Sequence, residues 1–180
     1  MRAINTLTFS LAALGLALAG SGNAHEGEDD AVAAPLELSV EEIAVVDTLN
    51  AYAGAVAAAD LDAVKAAVVA DENFAYVEGS HLDLGWDSFA KHMAPELAAF
   101  GDATYVFSDI RPFVSGAMAY AHLRYDMDVV VLSDQFEGGR HPVSMEGVGT
   151  VVLVKDADAW KIRHMHMVRE TGAAEGTLKE

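Results

Sequence analysis

The sequence predicts an α+β fold in which a strongly curved antiparallel sheet wraps around N-terminal helices and forms a cone-shaped pocket. Three observations carry this. Apolar residues recur mainly at helical spacing from residue 39 to about residue 100, and from Thr104 the period changes to alternation and stays so. The alternating runs are parted by turn-forming clusters at Ser115-Gly116, Glu137-Gly138-Gly139 and Asp156-Ala157-Asp158.

The chain has 180 residues, 52% of them hydrophobic, which suits one domain with an adequate core. Residues 1–24 read as an export signal: Arg2 is the positive start, Leu7 to Gly20 is an Ala/Leu-rich run short for a membrane span, and Gly22-Asn23-Ala24 offers a cleavage site. Leu18-Ala19-Gly20 is followed by Ser21, where a lipoprotein needs cysteine, so no lipid anchor is expected. The expected location is periplasmic or secreted, with no stable membrane anchor after cleavage. Cysteine is absent, which excludes disulfides, a thiol nucleophile and thiolate metal sites. A formal charge of −17 makes nucleic acid a poor partner.

Residues 25–38 are acidic, lack an apolar period and read as a flexible lead-in to a domain spanning 39–170, with a flexible tail at 171–180. Ser39 and Glu42 form a capping box at the start of a long helix reaching about Ala59, with a stripe of Ile43, Val46, Leu49, Ala53 and Val56. Asp60 caps a shorter helix carrying Leu61, Val64 and Val68. Residues 74–78 alternate as a strand that Gly79-Ser80 breaks, leaving His81 and Asp83 in the loop beyond. Trp86, Phe89, Met93, Leu97 and Phe100 follow at helical spacing, with Pro95 a kink or the start of a second turn. Strands are expected at about 103–114, 117–131, 142–155 and 159–168, the first of them an edge or bulged strand because of Pro112.

On the last strand, period two places Trp160, Ile162, His164, His166 and Val168 on one face and Lys161, Arg163, Met165 and Met167 on the other. An apolar start and an imidazole end are what a pocket floor requires. Tyr76 with Glu78, His81 with Asp83, and His92 with Glu96 are further pairs with the spacing of proton-transfer units. His92, His164 and His166 are therefore the candidate catalytic residues, and Tyr76, His81, Trp86, His92, His164 and His166 the candidate ligand-binding set. Each histidine can equally be a core group satisfied by backbone or carboxylates, and Trp86 and Trp160 core aromatics.

Val77-Glu78-Gly79-Ser80-His81-Leu82-Asp83-Leu84-Gly85-Trp86, His92, Pro95-Glu96, Gly149-Thr150-Val151-Val152-Leu153 and the ending Trp160 to His166 resemble the SnoaL-like branch of the nuclear transport factor 2 superfamily. The resemblance spans roughly Ser39 to Arg169 and implies a conical pocket and a homodimer formed through the outer sheet face. It leaves activity open, since the superfamily holds isomerases, cyclases, dehydratases, hydrolases, binding proteins and oligomerisation modules. Family members commonly carry serine two residues after the second histidine, where this chain has Val168.

The leading expectation is a small, partly apolar ligand with acid-base turnover, and no cofactor. Two readings stand beside it. One is a copper or zinc protein using His81, His164 and His166; the other is a homo-oligomerisation module without a ligand. Metal is not favoured, because Met165 and Met167 alternate with the histidines and cannot join them in one chelating ladder on a regular strand.

Overall fold

The computed structural model describes residues 37–174, the side chains of 171–174 excepted. The segment expected to be an export signal, nearly all of the expected acidic lead-in and the tail expected at 171–180 lie outside the described residues and side chains. In chain order the elements are α1 (Val40–Ala57), α2 (Leu61–Ala67), β1 (Ala75–Glu78), β2 (His81–Leu84), α3 (Trp86–Ala98), β3 (Phe100–Ser115), β4 (Met118–Leu132), β5 (Arg140–Asp156) and β6 (Ala159–Ala174). No helix among the described residues is long and apolar enough to cross a membrane.

Local chemistry sets the helix starts. The Ser39 hydroxyl accepts from the Glu42 amide, and the Glu42 carboxylate accepts from the Ser39 amide at 2.9 Å, which completes the capping box. Asp60 caps α2 by accepting from the Ala63 amide at 2.9 Å. The buried stripe of α1 is Val45, Leu49, Tyr52, Ala53 and Val56, rotated so that Ile43 is half exposed. Pro95 does not interrupt α3, which continues to Ala98.

The sheet has the order β2-β1-β6-β5-β4-β3 and does not close. Adjacent strands are antiparallel except β1 and β6, which run parallel. That pairing joins Ala75–Glu78 to His164–Met167, and β2, α3 and the β3–β5 meander together form the long crossover a parallel pair needs. His81 and Asp83 are not in a loop, as sequence spacing suggested. They belong to β2, paired residue for residue with β1, Tyr76 opposite Asp83 and Glu78 opposite His81. Pro112 lies on the edge strand β3, next to a register shift between Ser108 and Arg111, where its missing amide costs no ladder bond.

The alternation of β6 changes phase. Val152 pairs with His164 but its neighbour Leu153 pairs with Ile162, so Arg163 is an extra residue in the ladder. Trp160, Ile162, Met165 and Met167 consequently face the helices and are buried, whereas His164 and His166 turn to the outer face. The expectation that the two histidines share a face with Trp160 and Ile162 is corrected by this bulge.

Aromatic residues fill the side of the sheet toward the helices. Tyr52 of α1 stacks on Phe107 at 6.4 Å, Tyr105 lies edge-on to Phe107 at 4.9 Å and to Tyr125 at 5.9 Å, and Phe89 of α3 contacts Phe74, Tyr76 and Trp86. Glu41 pins the start of α1 to the far end of the β5–β6 hairpin by accepting from Lys155 and from the Trp160 indole at 2.6 and 2.9 Å. Two glycines make the inner face possible. A Cβ at Gly147 would fall on the Val168 carbonyl and 2.8 Å from the Tyr125 ring, and one at Gly149 would lie 2.7 Å from the Met167 sulfur.

Gly147→Ala is expected to lower stability by about 1–3 kcal/mol through overpacking, read as a lower urea midpoint. Gly54→Ala, on the exposed side of α1 with nothing within 4 Å of the new methyl, is expected to gain about 0.5–1 kcal/mol.

Candidate functional site

Three local pairs recognised by spacing come to the inner face, two of them joined in one polar cluster and the third beside it. Tyr76 and Glu78 lie beside Met165 and Met167 in the β1–β6 register, which fixes them to the side facing the helices. Through the hairpin pairing, Asp83 and His81 take the same side. The helix α3 then brings Ser88, His92 and Glu96 over β2, because positions 88, 92 and 96 lie a turn apart.

Asp83 is the centre of this arrangement, and among the described residues it is the one buried charged side chain. Its Oδ2 accepts from His81 Nε2 at 3.0 Å and from His92 Nδ1 at 2.8 Å, while Oδ1 accepts from the Ser88 hydroxyl at 2.6 Å. The other ring nitrogen of His92 sits 3.2 Å from Glu96 Oε1. Burial would raise the Asp83 pKa, but the bonds from Ser88, His92 and His81 outweigh it and hold the carboxyl below its ordinary value. His92 is pushed up to about 9, chiefly by its bond to Glu96, against the opposing effect of burial and with further help from Asp83. It is therefore an imidazolium at neutral pH, clamped between two carboxylates.

Beside this cluster lies a second group. The Tyr76 hydroxyl donates to Glu78 Oε2 at 3.1 Å, and Arg169 stands 3.9 Å from Glu78 Oε1. Tyr125 is buried, with Arg169 beside its oxygen and no acceptor within the fold for its hydroxyl proton. Burial first, and then the Glu78 carboxylate, raise the pKa values of Tyr52, Tyr76 and Tyr125, so all three phenols keep their protons.

Of the residues expected from sequence, Tyr76, His81 and His92 come together on the inner face. Trp86 is buried at the start of α3 against Phe89, with Lys65 5.7 Å above its ring. His164 and His166 stand apart on the outer face, so they share neither a pocket floor nor a metal set with His81. His166 lines an outer groove of about 360 Å³ with Arg111, His122, Arg124, Thr150 and Val168. There the Arg124 guanidinium is already held by Glu170 at 2.5 Å. Burial lowers the His164 pKa, and His166 lowers it further, the reverse of the effect at His92. Ser88, Tyr125 and Arg169 were not anticipated. Tyr125 had a visible signal, the strict alternation of Leu123, Tyr125, Met127 and Val129 on the buried face of β4.

The model of the SnoaL-like domain family matches residues 45–167. No curated protein matches the sequence. The fold is similar to that of a candidate scytalone dehydratase from Novosphingobium aromaticivorans, 16% identical, with a TM-score of 0.66 over 74% of this chain and 87% of that one. It is also similar to a nuclear transport factor 2-like protein from Salmonella enterica, 18% identical, with a TM-score of 0.61 over 77% and 92%. A hexachlorocyclohexane dehydrochlorinase of type 2 aligns at 12% identity and a TM-score of 0.62 over 75% and 88%. At these identities the likeness is one of fold.

Replacing Asp83 by Asn removes the charge that His92 faces, at an expected cost of about 2 kcal/mol near neutral pH. Because the folded His92 holds its proton more tightly than its ordinary 6.5, its stabilising contribution is full below that pH and is lost as pH rises through about 9. Urea titrations in chelator-containing buffer should show the wild-type advantage over Asp83→Asn shrinking across that window.

Proposed function

The chain belongs to the SnoaL-like domain family, and on that premise we propose that its concave face binds a small, partly apolar molecule beside Glu78 and turns it over by acid-base chemistry. The observation that carries this reading is the buried Tyr125 hydroxyl, whose proton has no acceptor within the fold although Arg169 lies beside its oxygen, on the same inner face as Glu78. A buried donor left unmade costs about 1–3 kcal/mol. A ligand oxygen accepting from Tyr125 would recover that cost, and the surrounding Tyr52, Tyr105 and Phe107 rings suit an apolar body.

In this reading Glu78 takes a proton from the ligand, Tyr76 orients the carboxylate through its 3.1 Å bond, and Tyr125 donates to the oxygen where charge builds. Arg169 balances the charge on the other side of Glu78. Two of the similarly folded proteins have names denoting eliminations, a dehydratase and a dehydrochlorinase, and an elimination needs such a base. A thermal-shift screen of hydroxyl- and carbonyl-bearing ring compounds, followed by turnover assays on any that stabilise the chain, tests the reading. Glu78→Gln should lower kcat by about 10²–10⁴-fold with little change in KM, and Tyr125→Phe should weaken binding about tenfold. Undiminished kcat in Glu78→Gln would overturn the assignment.

The same reading includes a partner, a second copy of this chain on the outer sheet face, where Phe113, Met118, Tyr120 and Val168 are exposed and the Phe113 and Tyr120 rings lie 5.3 Å apart. Sedimentation should give twice the chain mass for the wild type and the single mass for Tyr120→Glu. A monomeric wild type would remove the partner from the proposal. Export completes it, and a chain recovered outside the cytoplasm beginning at His25 is the expected product.

A further inference from the structure

We propose that His81, Asp83 and His92 form a binding site for one divalent transition-metal ion, zinc in the first instance. The site goes beyond the ligand reading above and does not depend on it.

The geometry supplies the donors. One oxygen of Asp83 and one nitrogen of each imidazole lie within 4.8 Å of one another, with His81 Nε2 and His92 Nδ1 at 3.0 and 2.8 Å from Asp83 Oδ2. A tetrahedral zinc ion with bonds of about 2.0–2.1 Å sets its donors about 3.3–3.4 Å apart. The observed separations therefore need to widen by about half an ångström. His81 and His92, whose side chains are 49% and 23% exposed, can provide that movement about Asp83, which is 4% exposed and fixed. Two imidazoles and one carboxylate, with no thiolate, suit zinc, and three protein donors leave one position open for water or a ligand oxygen.

The supporting groups are those a metal site requires. Glu96, one turn along α3, lies 3.2 Å from His92 Nε2 and accepts a hydrogen bond from its N–H, so that once Nδ1 releases its proton its lone pair faces the ion. Ser88 donates to Asp83 Oδ1 at 2.6 Å and so reserves Oδ2 for coordination. The donors stand on a paired strand and a helix, elements that hold a constellation more tightly than loops. Without an ion, both imidazoles direct an N–H at the same carboxylate oxygen. A divalent cation replaces those two protons at the same three atoms.

This set differs from the one suggested by sequence. His164 and His166 lie on the opposite side of the sheet and take no part. The open position does neighbour the proposed ligand site, because Glu78 is the cross-strand partner of His81.

The test uses the full chain, stripped with EDTA and titrated with zinc chloride by calorimetry, with bound metal counted by elemental analysis after gel filtration. One equivalent per chain is expected. His81→Ala should weaken binding at least tenfold while its circular dichroism in EDTA remains that of the folded wild type. Glu96→Gln should weaken it about 10–100-fold through loss of the orienting carboxylate. The His164→Ala/His166→Ala double variant should bind as the wild type does. Cobalt substitution should give the visible bands of a four-coordinate site in the wild type and lose them in His81→Ala. Uptake below one equivalent, uptake undiminished in a folded His81→Ala, or loss in the His164→Ala/His166→Ala variant would each overturn the site. These readouts follow the ion alone, so failure here is separate from failure of turnover at Glu78.

Discussion

One extra residue in the last strand, Arg163, decides which chemistry faces the helices. A regular β6 would put His164 and His166 in line with Trp160 and Ile162. The bulge sends them outward and brings Met165 and Met167 inward, where a flexible thioether can lie across Gly149. The same shift carries forward along the strand. Arg169, opposite Gly147, reaches the inner face and Glu78, whereas Glu170 meets Arg124 on the outer face. The β1 register is set against this shifted strand, so the facing of Tyr76 and Glu78 also descends from it.

The second constraint is the buried Asp83 carboxylate. A four-residue strand at the open edge of a sheet is a marginal element by itself. Here two hydrogen bonds from α3, from Ser88 and His92, tie the edge strand to that helix through the Asp83 carboxylate; a third comes from His81 of the same strand, and the Gly85 amide holds the turn after it to the Phe74 carbonyl at 2.7 Å. Burying a charge is tolerable only when its lone pairs are used. The groups that use them are two imidazoles and a hydroxyl, so the interaction that secures the hairpin also assembles the candidate site. Stability and chemistry are coupled at this point, and variants there need measurements of both.

Much of the fold was legible from local rules. The capping box at Ser39 and Glu42, the Asp60 cap, the hairpin turns and the alternation of β4 each rest on residues close in sequence, and each forms as expected. Pro112 correctly marked an edge. What escaped were features set by distant partners. No residue type announces the bulge at Arg163, because the ladder with β5 and the packing of Met165 and Met167 decide it. The strand β2 looked like a loop because its inward residues are His81 and Asp83, polar groups, and the burial of Asp83 makes sense only once α3 covers it. The pairs His81 with Asp83 and His92 with Glu96 were visible from spacing, but their union was not, since it depends on a helix packed on the β1–β2 pairing. Arg169 was hidden for the same reason as the methionines.

The two histidine groups show how environment sorts identical side chains. On the outer face, Arg111, His122, Thr150 and His166 fall in one cross-strand row, and His164 stands in the next beside Val152. Burial there, followed by the neighbouring His166, depresses the His164 pKa and leaves it a neutral imidazole. A second copy seated on that face would add burial and push in the same direction. On the inner face, Glu96 and Asp83 outweigh burial and hold a proton on His92. A site for a proton and a site for a cation have the same need, negative oxygen arranged around an imidazole. That need is met at His92 and not at the His164-Met165-His166 sequence, whose spacing is the more suggestive of the two.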